Sequence, residues 1–292
     1  MFQFEKSPFL KYITKLQYVK IRSVVNKMLE ISVVIPVYNA KKHVKRLLKS
    51  LNKNFDFHSG EVILVDDCSK ADTAEMLDDF VKEYPHYKLI RNQENKGFPG
   101  SCNCGIAASA GKIVILLNSD TLIPADFCKY VTKCFESDPA IGVASPLSSR
   151  SCAYWFKKPW FVSLDRMNEK IRDKHECTYP QIPSAEGFCY CIRREVIEQQ
   201  GGLDEIYGRG YHEEIDFAFR ANTNGWKNVL IDDLYVVHNH HTSFGKKTKT
   251  EQLRRNDPIF KERWDGFLEK FIEEHQLVDP MPKIKADVFN KK

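Results

Sequence analysis

Short apolar runs alternate with more polar segments along the first part of the chain. The apolar runs are rich in branched side chains and lie at 31–37, 61–65, 88–91 and 113–117. Runs of this kind predict strands that are buried on both faces of a sheet. The segments between them, which we expect to be helical, lie at 40–51, 69–84 and 101–110. Because strands and helices alternate, we expect an α/β fold in which helices flank a mostly parallel central sheet on both faces.

Polar and small residues between these elements predict how the helices begin. Asn39 is placed to cap the first helix, and Ser69 or Asp72 is placed to cap the second. Gly97 and Gly100 predict a turn before the third helix.

The pattern is less regular after residue 145. Tyr154–Phe161 crowds aromatic rings beside two lysines and a proline, and no regular period fits 145–183. These rings could stack on sugars within a functional loop, or they could form a satellite hydrophobic cluster beneath it. Further along, we expect a strand at 182–192, a short helix at 193–200, a helix beginning at Glu213 and a last strand at 229–237.

The two ends of the chain are predicted to be helical extensions of a central domain. Residues 1–30 place apolar side chains at helical spacing among lysines, which suits either an anionic membrane surface or packing on the domain. The tail at 246–292 mixes aromatic and charged residues. It could cover the sheet, form a homodimer contact or touch a membrane. The domain between the extensions spans 31–245.

Composition narrows the class of protein. Among 292 residues, 42% are hydrophobic and 28% are charged, which is ordinary for a globular protein. The net charge of +5 is too small to favour nucleic acid as the main partner. With no signal peptide or membrane-spanning run in view, we expect a cytoplasmic protein. The nine cysteines do not resemble a disulfide framework or the usual zinc spacing, so we expect the pairs Cys102/Cys104 and Cys189/Cys191 to be small buried residues.

Carboxylates follow two of the predicted strands. Asp66 and Asp67 end the second strand, and Asp120 follows the run at 113–117. Right-handed crossovers would bring these strand ends to one edge, where open α/β sheets bind ligands. A simpler alternative is that Asp67 only caps the next helix. The chain lacks a Gly-x-Gly-x-x-Gly turn after its first strand and a Walker A sequence, which argues against hydride transfer and P-loop chemistry.

These residues belong to a series of motifs that resembles family 2 glycosyltransferases with the GT-A fold, of the rhamnosyltransferase-like or polysaccharide-biosynthesis type. The resemblance runs from Ile31 to Phe244. Its elements are Val34–Asn39, Val65–Asp67, Glu94–Phe98, Leu117–Thr121, Gly187–Arg194, Gly201–Asp204 and Glu213–Asp216. Each motif is weak by itself, but their order and separations together are specific.

The resemblance implies that 31–122 binds a nucleotide-diphospho-sugar of the UDP, dTDP or GDP type and that 123–245 binds the acceptor. The implied donor-binding residues are Pro36, Val37, Tyr38, Asn39, Asp66, Asp67, Asn95, Lys96, Gly97, Asn118 and Ser119. Asp120 would bind Mn²⁺ or Mg²⁺, and His238 would complete the metal shell. Asn118 stands where the family has an aspartate, so the metal would depend more on the diphosphate and on His238. His240 and His241 are additional histidines nearby.

Catalysis is implied at Glu213-Glu214, where the family has Glu-Asp. An inverting transfer needs a carboxylate that takes the proton of the acceptor hydroxyl, and the second position of the motif usually supplies it. We therefore expect Glu214 to be the base, with Glu213 as the alternative. Both residues would also suit a helix N-terminus electrostatically. Candidates for the acceptor site are Trp155, Trp160 and Glu186.

The expected activity is inverting, metal-dependent transfer of a sugar to a hydroxyl of a glycan or lipid-linked acceptor. Surface polysaccharide or lipopolysaccharide assembly at the inner face of the cell membrane is the expected setting. One alternative is an inactive nucleotide-sugar-binding protein of the same fold, which Asn118 and the Glu-Glu pair keep open. Another is a nucleotidyltransferase, although the glycine- and lysine-rich loop that it needs after the first strand is absent.

Overall fold

The computed structural model describes residues 29–239 and 246–290. The strands are β1 (Ile31–Val37), β2 (Gly60–Asp66), β3 (Tyr87–Arg91), β4 (Ile113–Leu117), β5 (Thr121–Leu122), β6 (Ile141–Ser148), β7 (Cys189–Arg193) and β8 (Lys227–His238). The helices are α1 (Lys41–Asn54), α2 (Ala71–Glu83), α3 (Gly97–Ala107), α4 (Phe127–Ser137), α5 (Leu164–Lys174), α6 (Arg194–Gln200), α7 (Glu213–Thr223), α8 (Lys246–Trp264), α9 (Phe267–Glu274) and α10 (Met281–Phe289). The predicted amphipathic helix at the N-terminus, and also His240 and His241, lie outside the described residues.

One mixed sheet organises the domain. Its eight strands lie in the order β3-β2-β1-β4-β7-β6-β8-β5. The first four of these are parallel to one another, and β6 is parallel to β8. β7 runs antiparallel to both of its neighbours, and β5 runs antiparallel to β8. The predicted α/β class with a mostly parallel sheet is confirmed, and the reversed strand β7 separates the two parallel parts.

Strand β8 contains a bulge beside β6. Two consecutive residues of β6 pair with Ile231 and Tyr235, so the three residues between these partners are extra. Asp232 in the bulge is fully buried, and its carboxylate accepts the backbone N–H of Thr178 at 3.0 Å. Nε2 of His175 lies 3.0 Å from the same carboxylate. The bulge therefore fixes the segment after α5 to the sheet.

The central strands contribute side chains to two apolar layers. In β1, Val33 and Ile35 face one layer, and Val34 faces the other. Helix α1 covers the first layer with the predicted stripe of Val44, Leu47, Leu48 and Leu51. Burying an aliphatic side chain of this size stabilises the fold by roughly 1.5–3 kcal/mol. Helices α3 and α7 cover the second layer, so the continuous apolar strands are buried on both faces. All nine cysteines are free, and Cys102, Cys189 and Cys191 are buried as predicted. The prediction is wrong for Cys104, which is only partly buried because it lies beside the exposed Lys96.

Both predictions of helix caps are wrong. Helix α1 begins after Ala40, which has a left-handed backbone with φ of 59°, and no side chain caps it. Asn39 instead accepts the backbone N–H of Lys70 at 3.0 Å and donates its own N–H to the Ser69 hydroxyl at 2.8 Å. Helix α2 begins after Lys70, also without a side-chain cap. The polar side chains bind the loops after β1 and β2 to each other, which leaves them unable to cap.

The predicted turn before the third helix is also wrong, because Gly97 and Gly100 belong to the first turns of α3. The Asp67 carboxylate accepts the N–H groups of Lys96 at 2.8 Å and Gly97 at 3.0 Å. These contacts satisfy donors that a helix N-terminus leaves unpaired, so the helix can begin four residues earlier than its composition indicates.

The second half of the domain departs further from the predicted pattern. The strand predicted at 182–192 forms only over β7, and α5 lies in the segment for which no period was found. The apolar face of α5 consists of Leu164, Met167 and Ile171, which have helical spacing. Three such positions within an otherwise irregular segment are a weak periodic signal.

The aromatic segment divides between the interior and the surface. Tyr154 and Phe156 are buried in a satellite cluster, where the Phe156 and Tyr235 rings stack with centroids 5.0 Å apart. The predicted hydrophobic cluster is therefore present. In contrast, the side chains of Trp155, Trp160 and Phe161 are 38%, 91% and 73% exposed.

The tail packs on the domain at two places. Phe219 of α7 contacts three aromatic rings of the tail, those of Phe260, Trp264 and Phe267. Helix α10 adds three apolar side chains to the satellite cluster, those of Met281, Ile284 and Val288. Self-association and membrane contact by the tail stay predictions. No described helix combines the length and the apolar character needed to cross a membrane.

Candidate active site

A cleft of about 430 Å³ lies at the C-terminal ends of β1 and β4. Pro36 of β1 and the residues after β4 form one wall, and the N-terminus of α7 forms another. His238 contributes from the end of β8, and Lys249 and Leu253 of α8 close a third side. Three parts of the chain that are distant in sequence therefore meet around one space.

The structure gathers some of the predicted residues here and not others. Those that line the cleft are Pro36, Asn118, Ser119, Asp120, Glu186, Glu213, Glu214 and His238. The predicted residues outside its lining are Val37, Tyr38, Asn39, Asp66, Asp67, Asn95, Lys96, Gly97, Trp155 and Trp160. The metal and catalytic candidates thus lie together, while most donor candidates lie in or after β1, β2 and β3.

Asp66 and Asp67 are buried and bonded within the protein. Asp66 accepts the Ser69 N–H at 3.0 Å and the Arg91 Nε–H at 2.9 Å. Besides its two bonds to the start of α3, Asp67 accepts a hydrogen bond from the Asn92 amide at 2.9 Å. Buried carboxylates need such partners. The helix-capping alternative for Asp67 applies to α3 rather than to α2, and a nucleotide role for either residue stays a prediction.

Gly97 connects these loops to the cleft. Its φ of +73° is in the left-handed region, and a Cβ atom there would lie 2.6 Å from the Gly208 carbonyl oxygen. The same Cβ would lie 2.7 Å from the Cα atom of Arg209, a residue that lines the cleft. Only glycine allows this close approach of two backbones. Lys96 is exposed beside it, with its Nζ 3.6 Å from the Cys104 Sγ.

Asp120 and His238, the two predicted metal ligands, meet at one end of the cleft. Their Oδ1 and Nε2 atoms are 3.5 Å apart, because the short strand β5 pairs Thr121 with His238. The His238 Nδ1 lies 2.9 Å from the Arg150 carbonyl oxygen. A proton on Nδ1 would be donated to that carbonyl, which orients Nε2 toward Asp120. The Phe188 ring, stacked on the imidazole at 5.0 Å, supports this orientation.

This pair fits a divalent cation that also binds phosphate oxygens. A carboxylate and an imidazole whose other nitrogen bonds a carbonyl are common ligands of Mn²⁺. Within the described residues, no group of three or more His, Cys, Asp or Glu side chains converges on one point. With two protein ligands, most coordination positions of such a cation would be left to other oxygen atoms. The same expectation follows from Asn118, which stands where the family has an aspartate.

Glu213 and Glu214 lie side by side at the N-terminus of α7, as predicted. Burial and the neighbouring charge of Glu214 raise the pKa of Glu213 well above its usual range. Burial also raises the pKa of Glu214, but its own backbone N–H and the charge of His212 act in the opposite direction. Since two like charges in a buried site do not ionise together easily, Glu214 is the member that loses its proton first.

Small residues leave room for this pair. A Cβ atom at Gly187 would lie 3.3 Å from the Cγ of Glu214, and one at Gly210 would lie 3.4 Å from a carboxyl oxygen of Glu213. The buried Tyr190 hydroxyl donates to the Glu214 backbone carbonyl at 2.9 Å. Neither Oε2 atom of the pair has a hydrogen-bond partner among the described residues. Both atoms are buried, which accords with the raised pKa of the two carboxyl groups.

Glu186 has a partly structural role. Its carboxylate accepts the backbone N–H groups of Cys152, Ala153 and Tyr154 at 3.2, 2.6 and 3.4 Å. It thereby fixes the start of the aromatic segment to the wall of the cleft. The nearby Trp155 and the more distant Trp160 do not belong to this wall, and an acceptor role for them stays a prediction.

Sequence reasoning missed Arg209, His212 and Lys249, all of which line the cleft. Arg209 and His212 lie in an irregular loop that carries no periodic signal. Lys249 is in the tail, and no local pattern indicates where the tail packs. Arg209 and Lys249 are basic residues, as expected beside a diphosphate. Their position at the cleft is visible only in the three-dimensional arrangement and not in the sequence.

Comparison with known proteins identifies the family. A model of glycosyl transferase family 2 matches residues 32–201, more than half of the chain. Among curated relatives, beta-monoglucosyldiacylglycerol synthase of a Nostoc species is 24% identical over 203 residues. That match covers 67% of this chain and 42% of the synthase, so the chain spans less than half of that relative's length.

Solved structures share the fold. GalNAc-T7, crystallised with UDP, GalNAc and Mn²⁺, has a TM-score of 0.60 and 17% identity, covering 90% of this chain and 57% of the other. The mannosyltransferase PcManGT of Pyrobaculum calidifontis, in complex with GDP-Man and Mn²⁺, has a TM-score of 0.56 and 16% identity over 94% and 76%. The GT-A fold that the motifs indicate is confirmed. Because the family model spans most of the described domain, the protein belongs to glycosyl transferase family 2.

Proposed function

We propose that this protein transfers a sugar from a nucleotide-diphospho-sugar to a hydroxyl group of a glycan or lipid-linked acceptor, with inversion at the anomeric carbon. One observation carries the proposal: the Asp120–His238 pair and the Glu213–Glu214 pair face the same cleft. The first pair suits the leaving diphosphate, and the second suits the attacking hydroxyl. A single displacement needs both on opposite sides of the reacting carbon.

Glu214 acts as the base in this proposal. As the acceptor oxygen bonds to the anomeric carbon, the bond from that carbon to the diphosphate oxygen breaks. The acceptor proton moves to Glu214, and the nucleoside diphosphate leaves with the bonding electron pair. A pKa raised by burial brings the carboxylate closer to the operating pH, which makes it a better base than a solvated glutamate.

Asp120 and His238 would hold Mn²⁺ or Mg²⁺, with Ser119 and Asn118 beside them. When bound, the cation supplies positive charge that neutralises the leaving diphosphate. Arg209 and Lys249 line the same cleft and would add to that charge. The Mn²⁺ present in the two structural neighbours supports this assignment, as do the carboxylate and imidazole that the fold brings together.

The donor is proposed to be of the UDP, dTDP or GDP type. The loops after β1, β2 and β3 that carry the predicted donor residues lie next to the cleft, joined to it through Gly97. Surface polysaccharide or glycolipid assembly is the proposed setting, supported by the name of the Nostoc relative. Contact with the inner face of a membrane stays a prediction.

The proposal is tested by sugar transfer from UDP-, GDP- and dTDP-sugars to lipid-linked and glycan acceptors, with Mn²⁺, with Mg²⁺ or with EDTA. We expect turnover that depends on the cation. We expect Glu214→Gln to lower kcat about 10²–10⁴-fold, the usual contribution of a general base. Glu213→Gln separates the two candidates, and Glu262→Gln on the exposed face of α8 is the control.

Three outcomes would contradict parts of the proposal. Full activity in Glu214→Gln would remove Glu214 as the base. Turnover indifferent to EDTA would remove the metal. Binding of a nucleotide-sugar without turnover by any donor and acceptor would favour an inactive nucleotide-sugar-binding protein instead.

A further inference from the structure

The loop that delivers Glu213 and Glu214 has an unusual backbone. Gly208 and Gly210 have positive φ angles, and so do Tyr211 and His212, with φ of 75° and 79°. Side chains other than glycine rarely adopt this conformation, and it persists where surrounding contacts impose it. Within the described residues, the contacts that impose it come largely from helix α8.

Asn256 of α8 binds the backbone of the loop before α7, residues 207–212. Its side-chain amide is fully buried and donates to the carbonyl oxygens of Tyr207, Gly210 and Tyr211 at 2.9, 2.9 and 3.0 Å. Three backbone carbonyls therefore converge on a single side chain from the tail. The path of the loop into α7 depends on that helix being in place.

The next residue of α8 contacts the imidazole that precedes the glutamate pair. Oδ1 of Asp257 lies 2.6 Å from Nε2 of His212, and the Phe260 ring stacks on the imidazole with centroids 4.6 Å apart. The His212 side chain is 18% exposed and lines the cleft. Its buried Nδ1 has no hydrogen-bond partner among the described residues. A carboxylate behind an imidazole fixes the orientation of the ring.

The charge on His212 acts on Glu214. Burial raises the pKa of Glu214, and a positive His212 lowers it. The other ionisable groups that interact with Glu214 are Glu213, Glu186, Tyr190, Tyr211, Cys102 and Cys152, and the charge of Glu186 raises the pKa of Glu214. Asp257 on α8 faces His212. Replacing His212 by an uncharged side chain would remove the charge that lowers the pKa of Glu214, so the Glu214 carboxyl would keep its proton to a higher pH.

We propose that Asp257 and His212 form a carboxylate–imidazole pair that positions the loop before α7 and sets the charge beside Glu214, so that helix α8 belongs to the reaction machinery. His212 and Asp257 are positioning residues here. Their effect on turnover rests on the function proposed above, whereas their effect on Glu214 does not.

The test compares Asp257→Asn and His212→Gln with the control Glu262→Gln in the full chain. We expect both variants to lower kcat roughly tenfold, in the range usual for residues that orient a catalytic group, while the KM for the donor changes less than twofold. We also expect the acid limb of the kcat–pH profile of His212→Gln to move to higher pH, because this variant lacks the charge that lowers the pKa of Glu214. The control should retain the wild-type rate and profile.

A second measurement needs no substrate. In protein labelled with ¹³C at glutamate carboxyls, the Glu214 signal, assigned by its loss in Glu214→Gln, should titrate at higher pH in His212→Gln than in the wild type. An unchanged titration in His212→Gln with a wild-type unfolding curve would overturn the inference. If Glu214 titrates as expected but no donor supports transfer, the proposed function fails and this inference stands. If Glu214→Gln abolishes transfer and His212→Gln leaves the pH profile unshifted, this inference fails alone.

Discussion

The loops after β1, β2 and β3 are held by residues that are close along the chain, whereas the loop before α7 is held by the tail. In the first group, Asp66 binds Arg91 and Asp67 binds the N-terminus of α3. In the second, Asn256 and Asp257 reach back to residues 207–212. The half with the predicted donor residues is therefore held by contacts within itself, and the half with Glu213 and Glu214 depends on a segment that follows the whole domain. Substitutions that remove one support at a time measure this difference.

The largest effect is expected at Asp216, where α7 and α8 meet. This fully buried carboxylate accepts hydrogen bonds from Tyr207, Arg220, Arg263 and Trp264 at 2.7–3.2 Å. Asp216→Ala leaves these donors without their anion, and we expect it to lower the free energy of unfolding by about 3–5 kcal/mol. Urea unfolding measures the loss, with the exposed Asp265→Ala as control. A loss below about 1 kcal/mol would mean that the tail is not part of one cooperative unit.

A matched pair of core truncations compares the two regions directly. Leu47 of α1 and Ile284 of α10 are both almost completely buried. Each truncation to alanine should cost about 2–5 kcal/mol if the tail folds together with the domain. Should Ile284→Ala only speed hydrogen exchange in α10 while Leu47→Ala destabilises the whole protein, α10 would be an independently folding attachment.

A smaller effect is expected where the two regions touch. Gly97→Ala combines an unfavourable φ with a Cβ only 2.6 Å from a carbonyl oxygen. We expect a loss of about 1–3 kcal/mol from strain, and more if the loop cannot move. Gly225→Ala is the control, because its φ of +85° imposes the strain while nothing lies within 4 Å. Equal losses at both positions would show that the close approach to Gly208 has no energetic weight.

The smallest effect on stability is expected at Trp160. Because its ring is 91% exposed, Trp160→Ala should change the free energy of unfolding by less than about 0.5 kcal/mol. Phe156→Ala, in the same segment but buried, should cost about 3–5 kcal/mol. A rise in the acceptor KM of Trp160→Ala at unchanged stability would support the sugar-stacking hypothesis for this segment, and an unchanged KM would contradict it.

The region from β1 to β4 is predicted well because a local pattern of residues marks each of its elements. Apolar runs mark β1 to β4, and the stripe of Val44, Leu47, Leu48 and Leu51 marks α1. The topological rule for strand ends also placed Asp120 at the cleft, and the family resemblance placed His238 beside it. The caps failed because Asn39 and Ser69 bond to each other's loops, a contact between segments that no local pattern contains.

The second region could be predicted only in part. The position of Glu213 and Glu214 at the start of α7 follows from a helical stripe after a glycine-bearing loop. The role of Asn256 does not, because its three acceptors are backbone carbonyls of a loop with no period of its own. Helix α5 was missed since its apolar face, Leu164, Met167 and Ile171, is a short signal within an irregular segment. In each case the information missing from the local sequence lies in contacts between residues that are distant along the chain.

The bulge in β8 has a consequence for how this strand can vary in length. His238 reaches Asp120 because its side chain lies on the correct face of a strand whose register is fixed by the Thr121 pairing. Neighbouring side chains on a strand point to opposite faces, so removing one residue between Tyr235 and His238 would turn the imidazole away. The three extra residues at 232–234 lie before that stretch. Insertions and deletions compatible with the cleft are therefore expected before Tyr235 or after Asn239, and engineered versions of this domain should keep the spacing between those positions intact.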